Sequence, residues 1–91
     1  MRLVVKVKKA TLHGRTKDIA EGGLGATIPG NIAIGEIVEL EFQLADAQEP
    51  LKFKAEVMYC KGFQYGFRFL HATEQQRELI RRTTHTLPMA P

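Results

Sequence analysis

Four stretches of this chain alternate apolar and polar residues with a period of two, the pattern of a strand with one face buried and one face wet. Leu3, Val5 and Val7 alternate with Arg2, Lys6 and Lys8, and Val38, Leu40, Phe42 and Leu44 with Glu39, Glu41 and Gln43. Leu51, Phe53, Ala55, Val57 and Tyr59 alternate with Lys52, Lys54 and Glu56. Phe63, Tyr65, Phe67 and Phe69 share one face, opposite Gln64, Gly66 and Arg68, and read as core. Leu24, Ala26 and Ile28 form a shorter run, and Thr11 to Lys17 fits the return arm of a first hairpin. Turn-forming clusters separate the runs: Pro29-Gly30-Asn31, a hairpin loop over Asp46 to Pro50, and a tight turn at Lys61-Gly62. Each strand has one apolar face to hide, so the sheet must be covered or close on itself. An all-β fold follows, a small six-stranded antiparallel barrel.

The last segment changes period. Thr73-Glu74-Gln75-Gln76 fits a capping box, with Thr73 as N-cap and Gln76 reaching back. Leu79 and Ile80 supply a narrow apolar stripe, and Arg81 and Arg82 suit the negative end of a helix dipole. A helix of about a dozen residues is marginal on its own in water, so this one is expected to dock on the barrel. Residues 1–86 are therefore expected to form a single domain, with 87–91 as a flexible tail or the start of a linker.

Ninety-one residues support one modest core. A formal net charge of +3 admits an anionic partner, and the basic residues gather early (Arg2, Lys6, Lys8, Lys9, Arg15, Lys17) while Glu36, Glu39 and Glu41 collect in the middle. The single cysteine, Cys60, has no internal partner, which fits a reducing compartment. No run approaches the length of a membrane span and no apolar signal core opens the chain, so the expectation is cytoplasmic. A strand beginning directly after Met1 suits either a short natural start or a domain cut from a longer protein.

Catalysis finds little support. His13, His71 and His85 are scattered and lack the short spacing to an acid, cysteine or second histidine that metal sites use. Cys60 lies on the polar side of its strand with no histidine assignable to it, and no Walker loop or paired-carboxylate site is present. The expectation is no enzyme, no catalytic residue, no metal and no cofactor.

One segment does carry binding potential. Asp18-Ile19-Ala20-Glu21-Gly22-Gly23, set between two strand-like runs, reads as a tight turn that presents a carboxylate and exposed backbone N–H groups. It resembles the D/N-x-S-x-x-G signature of PilZ domains, bacterial receptors for the second messenger cyclic di-GMP. The resemblance continues through Gly22-Gly23-Leu24-Gly25 and through Tyr65-Gly66-Phe67-Arg68-Phe69, which is similar to the family's glycine-aromatic last strand. It spans Arg2 to Arg82, nearly the whole chain, and implies a PilZ-like split barrel with a C-terminal helix.

The resemblance also implies a function: a non-catalytic cyclic di-GMP receptor module that works through a protein partner or neighbouring domain, without a nucleic-acid polymer or membrane insertion. Asp18 would accept hydrogen bonds from the guanine Watson–Crick edge, position 20 would add a hydroxyl, and Gly22 and Gly23 would permit close backbone approach. Arg2 falls where the second arginine of the family's R-x-x-x-R motif would lie; guanidinium pairs with phosphate and with guanine O6 and N7. Two departures stand out. Ala20 replaces the serine, and the position four before Arg2 precedes Met1 while Lys6 is not arginine.

Each residue also has a plainer role. Asp18 fits an acceptor for its own turn's N–H groups, Arg15 and Lys17 a solvated pair, and Arg68 an exposed position opposite the aromatics. The alternative function is accordingly a divergent PilZ domain that binds no nucleotide and serves protein interaction or dimerisation. A basic barrel for RNA or single-stranded DNA ranks lower, because the aromatics share the core's parity and glutamates interrupt the basic surface.

Overall fold

Closing a sheet on itself pairs every edge that six short strands would otherwise leave open, and that is the architecture found. The computed structural model describes residues 1–8, 10–44 and 49–86, with side chains as far as Arg82. Its elements are β1 (Arg2–Val7), β2 (Ala10–Ala20), β3 (Gly23–Thr27), β4 (Ile37–Phe42), β5 (Leu51–Lys61), β6 (Gln64–Leu70) and α1 (Glu74–Thr86). The strands form one closed antiparallel barrel in the order β1-β2-β3-β6-β5-β4, closed by pairing of β1 with β4. Most of the hairpin loop expected over Asp46 to Pro50, and the tail expected at 87–91, lie outside the described residues.

The alternating residues point inward as their period requires. Leu3, Val5, Leu24, Ala26, Val38, Leu40, Phe42, Phe53, Ala55, Val57, Tyr65, Phe67 and Phe69 are all buried in one core. Phe42, Phe53 and Phe69 stack on one another across three strands, with centroids 4.3 to 6.3 Å apart.

Two aromatics expected on the inner face are outside, Tyr59 at 53% exposure and Phe63 at 63%. Phe63 sits in the β5–β6 turn, where the alternation has ended. Tyr59 leaves the core because the β5–β6 register shifts: Val57 pairs with Phe67 but Tyr59 with Gly66, so Met58 is one extra residue. A bulge of this kind reverses the parity of everything beyond it. A second shift lies in β2, where Thr16 pairs with Ala26 and Asp18 with Gly25, leaving Lys17 extra. β2 also runs further than a return arm ending at Lys17, and takes Asp18, Ile19 and Ala20 into the ladder. The turn that follows is only Glu21 and Gly22.

The helix begins on the expected capping box: Thr73 Oγ1 accepts from the Gln76 N–H at 3.1 Å, and Gln76 Oε1 accepts from the Thr73 N–H at 3.0 Å. It docks on the barrel, with Ile80 fully buried in the shared core and Gln76 Nε2 donating to the Lys52 carbonyl. Arg81 binds it to the β2–β3 turn by pairing with Glu21 while also meeting Glu74 and Glu78.

Tyr65 holds the loop between β3 and β4. Its buried hydroxyl donates to the Gly30 carbonyl at 2.6 Å and accepts from the Ile32 N–H at 3.1 Å. Burial is the main cause that pushes its pKa above the ordinary value near 10. The folded state therefore holds this proton more tightly than the unfolded chain. The resulting stability is complete below about pH 10 and is lost as pH rises toward the raised value. Tyr65→Phe is expected to destabilise by about 1–3 kcal/mol, because it leaves a buried N–H unpaired. Urea denaturation at neutral pH checks the cost. Repetition above pH 10 should show wild type losing stability that the variant does not lose.

Candidate functional site

Antiparallel register fixes which side chains meet on the barrel's outer surface. Outward-facing residues line up in cross-strand rows over β2, β3, β6 and β5. One row runs Asp18, Gly25, Gly66, Tyr59, and the next runs Ala20, Gly23, Arg68, Glu56. The bulges at Lys17 and Met58 place Asp18 and Tyr59 on this outer face; unbroken alternation from Thr16 and Val57 would have turned both inward.

Glycine occupies the middle of the Asp18–Tyr59 row, so the surface sinks there. The recess measures about 410 Å³, with Asp18, Ala20, Gly22 and Gly23 on one side and Met58, Tyr59 and Arg68 on the other. Its floor leaves no room for a side chain. A Cβ at Gly25 would fall on Asp18 Oδ1, and one at Gly66 would fall within the Tyr59 ring. Gly22 is different: it has no positive φ, and a Cβ there would meet nothing within 4 Å. Nothing in the fold itself demands glycine at position 22.

Asp18 Oδ1 accepts from the Gly25 N–H at 3.0 Å, which holds the carboxylate at the rim. Its other oxygen has no partner among the described residues. The plainer role for Asp18 is thus half filled, by a neighbouring strand rather than by the turn. The Gly22 carbonyl accepts from the Phe69 N–H at 2.9 Å, so the turn is anchored to β6. Arg68 reaches Glu56 at 2.7 Å with its side chain 58% exposed. An exposed pair of this kind contributes about 0–1 kcal/mol, so the guanidinium can be recruited by an incoming anion at little cost.

Of the residues singled out from sequence, Asp18, Ala20, Gly22 and Gly23 thus come together around one recess, and Arg2 does not join them. Arg2 lines a neighbouring recess with Arg15, its direct partner across β1–β2. No group of three or more His, Cys, Asp and Glu side chains able to hold a metal occurs among the described residues. Among the described residues no helix is long and apolar enough to cross a membrane.

The family model described as PilZ domain matches residues 1–85. The chain belongs to the PilZ family. A solved PilZ domain, that of CeSA from a cellulose-synthesizing bacterium, superposes with a TM-score of 0.72 at 18% identity, covering 98% of this chain and 93% of that one. No curated protein matches. The PilZ barrel and its terminal helix are therefore present over nearly the whole chain.

In this PilZ domain the recess wall formed by Met58, Tyr59 and Arg68 was not legible as part of the site. One signal pointed that way. Gly25 and Gly66 are glycines inside strands, and such residues mark bulges or close approach of other groups. The two walls also differ in what they can yield. The group that blocks a Cβ at Gly66 is the half-exposed Tyr59 ring, which can swing outward, whereas at Gly23 it is the Phe67 backbone carbonyl, which cannot. Gly66→Ala is expected to cost less than about 1 kcal/mol and Gly23→Ala about 1–3 kcal/mol. Urea unfolding of both variants tests the order; the reverse order contradicts the register described.

Proposed function

We propose that this PilZ domain is a non-catalytic receptor module for cyclic di-GMP, and that the glycine-floored recess between Asp18 and Tyr59 is where the nucleotide is held. The observation that carries the reading is Asp18, with one carboxylate oxygen fixed by the Gly25 N–H and the other unpartnered among the described residues at the recess rim. A carboxylate held this way is a rigid acceptor for the adjacent N1–H and amino donors of guanine. Tyr59 offers an exposed ring for stacking on a base, and Arg68 a guanidinium for guanine O6 and N7 or for phosphate. Gly22 fits the same reading, since the space beside it is open and the fold does not require glycine there.

Ala20 is the weak point of the site. The serine of the family signature would add a hydroxyl, and one neutral hydrogen bond is worth about 0.5–1.5 kcal/mol, up to roughly tenfold in affinity. Binding weakened to that extent remains binding. The module works by rearranging a partner or neighbouring domain around the bound nucleotide, in the manner the family resemblance implies.

Calorimetric titration with cyclic di-GMP, with GTP as control, tests the proposal. Saturable binding to wild type is expected, Asp18→Ala is expected to weaken it by roughly tenfold to a hundredfold, and Ala20→Ser to strengthen it by up to about tenfold. No saturable heat from wild type would overturn the receptor reading in favour of an interaction or dimerisation module.

A further inference from the structure

The outer face carries another cross-strand row, two residues along β3 from the Asp18–Tyr59 row. It runs Arg2, Arg15, Thr27, Gln64, Lys61 through β1, β2, β3, β6 and β5. Arg2 and Arg15 stand directly opposite each other in antiparallel register and are both exposed. With His13 and Thr27 they line a second recess of about 610 Å³. Resting on the receptor reading above, we infer that Arg15, side by side with Arg2, binds the nucleotide's phosphodiester groups, so that the barrel wall supplies cations to the ligand.

Three observations support the assignment. The first is charge. Lys6, Lys52, Arg68, Arg81 and Arg82 each meet a glutamate; Arg2 and Arg15, like Lys17, Lys54, Lys61 and Arg77, have no acidic partner among the described residues, and of these cations only Arg2 and Arg15 stand directly opposite each other.

The second is energetic. Like charges directly opposite in an antiparallel pair oppose folding. The fold gains nothing from placing Arg15 against Arg2, and a bound anion turns the repulsion into a two-sided clamp. Guanidinium is suited to that task because its planar fork matches phosphate oxygens.

The third is spacing. Two residues along a strand is about 7 Å, so the cationic row and the Asp18–Gly25 row lie on one face at the scale that separates a nucleotide's base from its phosphate. A guanine edge on Asp18 thus leaves a phosphodiester within reach of Arg15. Lys17, the extra residue of the bulge, is exposed between the two rows and adds to the same positive field.

The test is calorimetric titration of wild type, Arg15→Gln and Lys54→Gln with cyclic di-GMP at low and moderate ionic strength, with a thermal melt of each ligand-free protein. Lys54 is an exposed cation on β5 outside both recesses. Arg15→Gln is expected to weaken binding tenfold or more and to flatten its salt dependence, with a melting temperature equal to or above wild type. Lys54→Gln should track wild type. An Arg15→Gln protein that binds as wild type does, with the same salt dependence, overturns this assignment and leaves the receptor reading standing. Absence of binding by wild type removes both.

Discussion

The pairing of Gly25 with Gly66, between a one-residue bulge in β2 and another in β5, is the constraint on which the outer face of this barrel depends. Each bulge reverses parity on its own strand. Together they bring Asp18 and Tyr59 out of positions that unbroken alternation would have buried. The glycines between them keep the floor low, because a methyl group at either one would displace Asp18 or Tyr59. A carboxylate, an aromatic ring and a guanidinium therefore surround a recess that no sheet with regular pairing would contain.

The barrel supports this arrangement without sharing its chemistry. The core is closed and wholly apolar among its buried residues, with Tyr65 as the one polar-tipped side chain in it and both of its hydroxyl bonds made to the β3–β4 loop. On the other side, α1 buries Ile80 in the core and holds the β2–β3 turn through Arg81 and Glu21. The turn that carries Gly22 is thus fixed at three points: the Asp18–Gly25 bond, the Gly22–Phe69 bond and the ion pair to the helix. An edge supported in this way would need little ordering on taking up the proposed ligand, which favours affinity.

Strand count, core faces, barrel closure and helix cap were all legible in the sequence because each rests on local periodicity or local hydrogen bonding. Leu3 with Val5, the Val38 to Phe42 run and Thr73 with Gln76 each report their own environment within a few residues. A bulge does not, because it is a property of two strands, so Tyr59 read as core and Asp18 as part of a turn. The same limit hid half of the recess. Asp18, Ala20, Gly22 and Gly23 are contiguous and form a motif, whereas Met58, Tyr59 and Arg68 reach it only through long-range register. Arg15 read as a solvated cation for the same reason: its pairing with Arg2 is visible only once β1 and β2 are aligned.

One outer face, the rows through Asp18 and Arg15, is the ligand surface we propose for this PilZ domain. Amide chemical-shift mapping of the intact chain during titration with cyclic di-GMP tests it most directly. Saturable shifts are expected to concentrate on Arg15, Asp18, Gly22, Gly23, Gly25, Tyr59, Gly66 and Arg68, with Glu39 and Glu41 of β4 on the opposite part of the barrel unmoved. Saturable shifts centred on β4, or none in the glycine-floored recess, would contradict it.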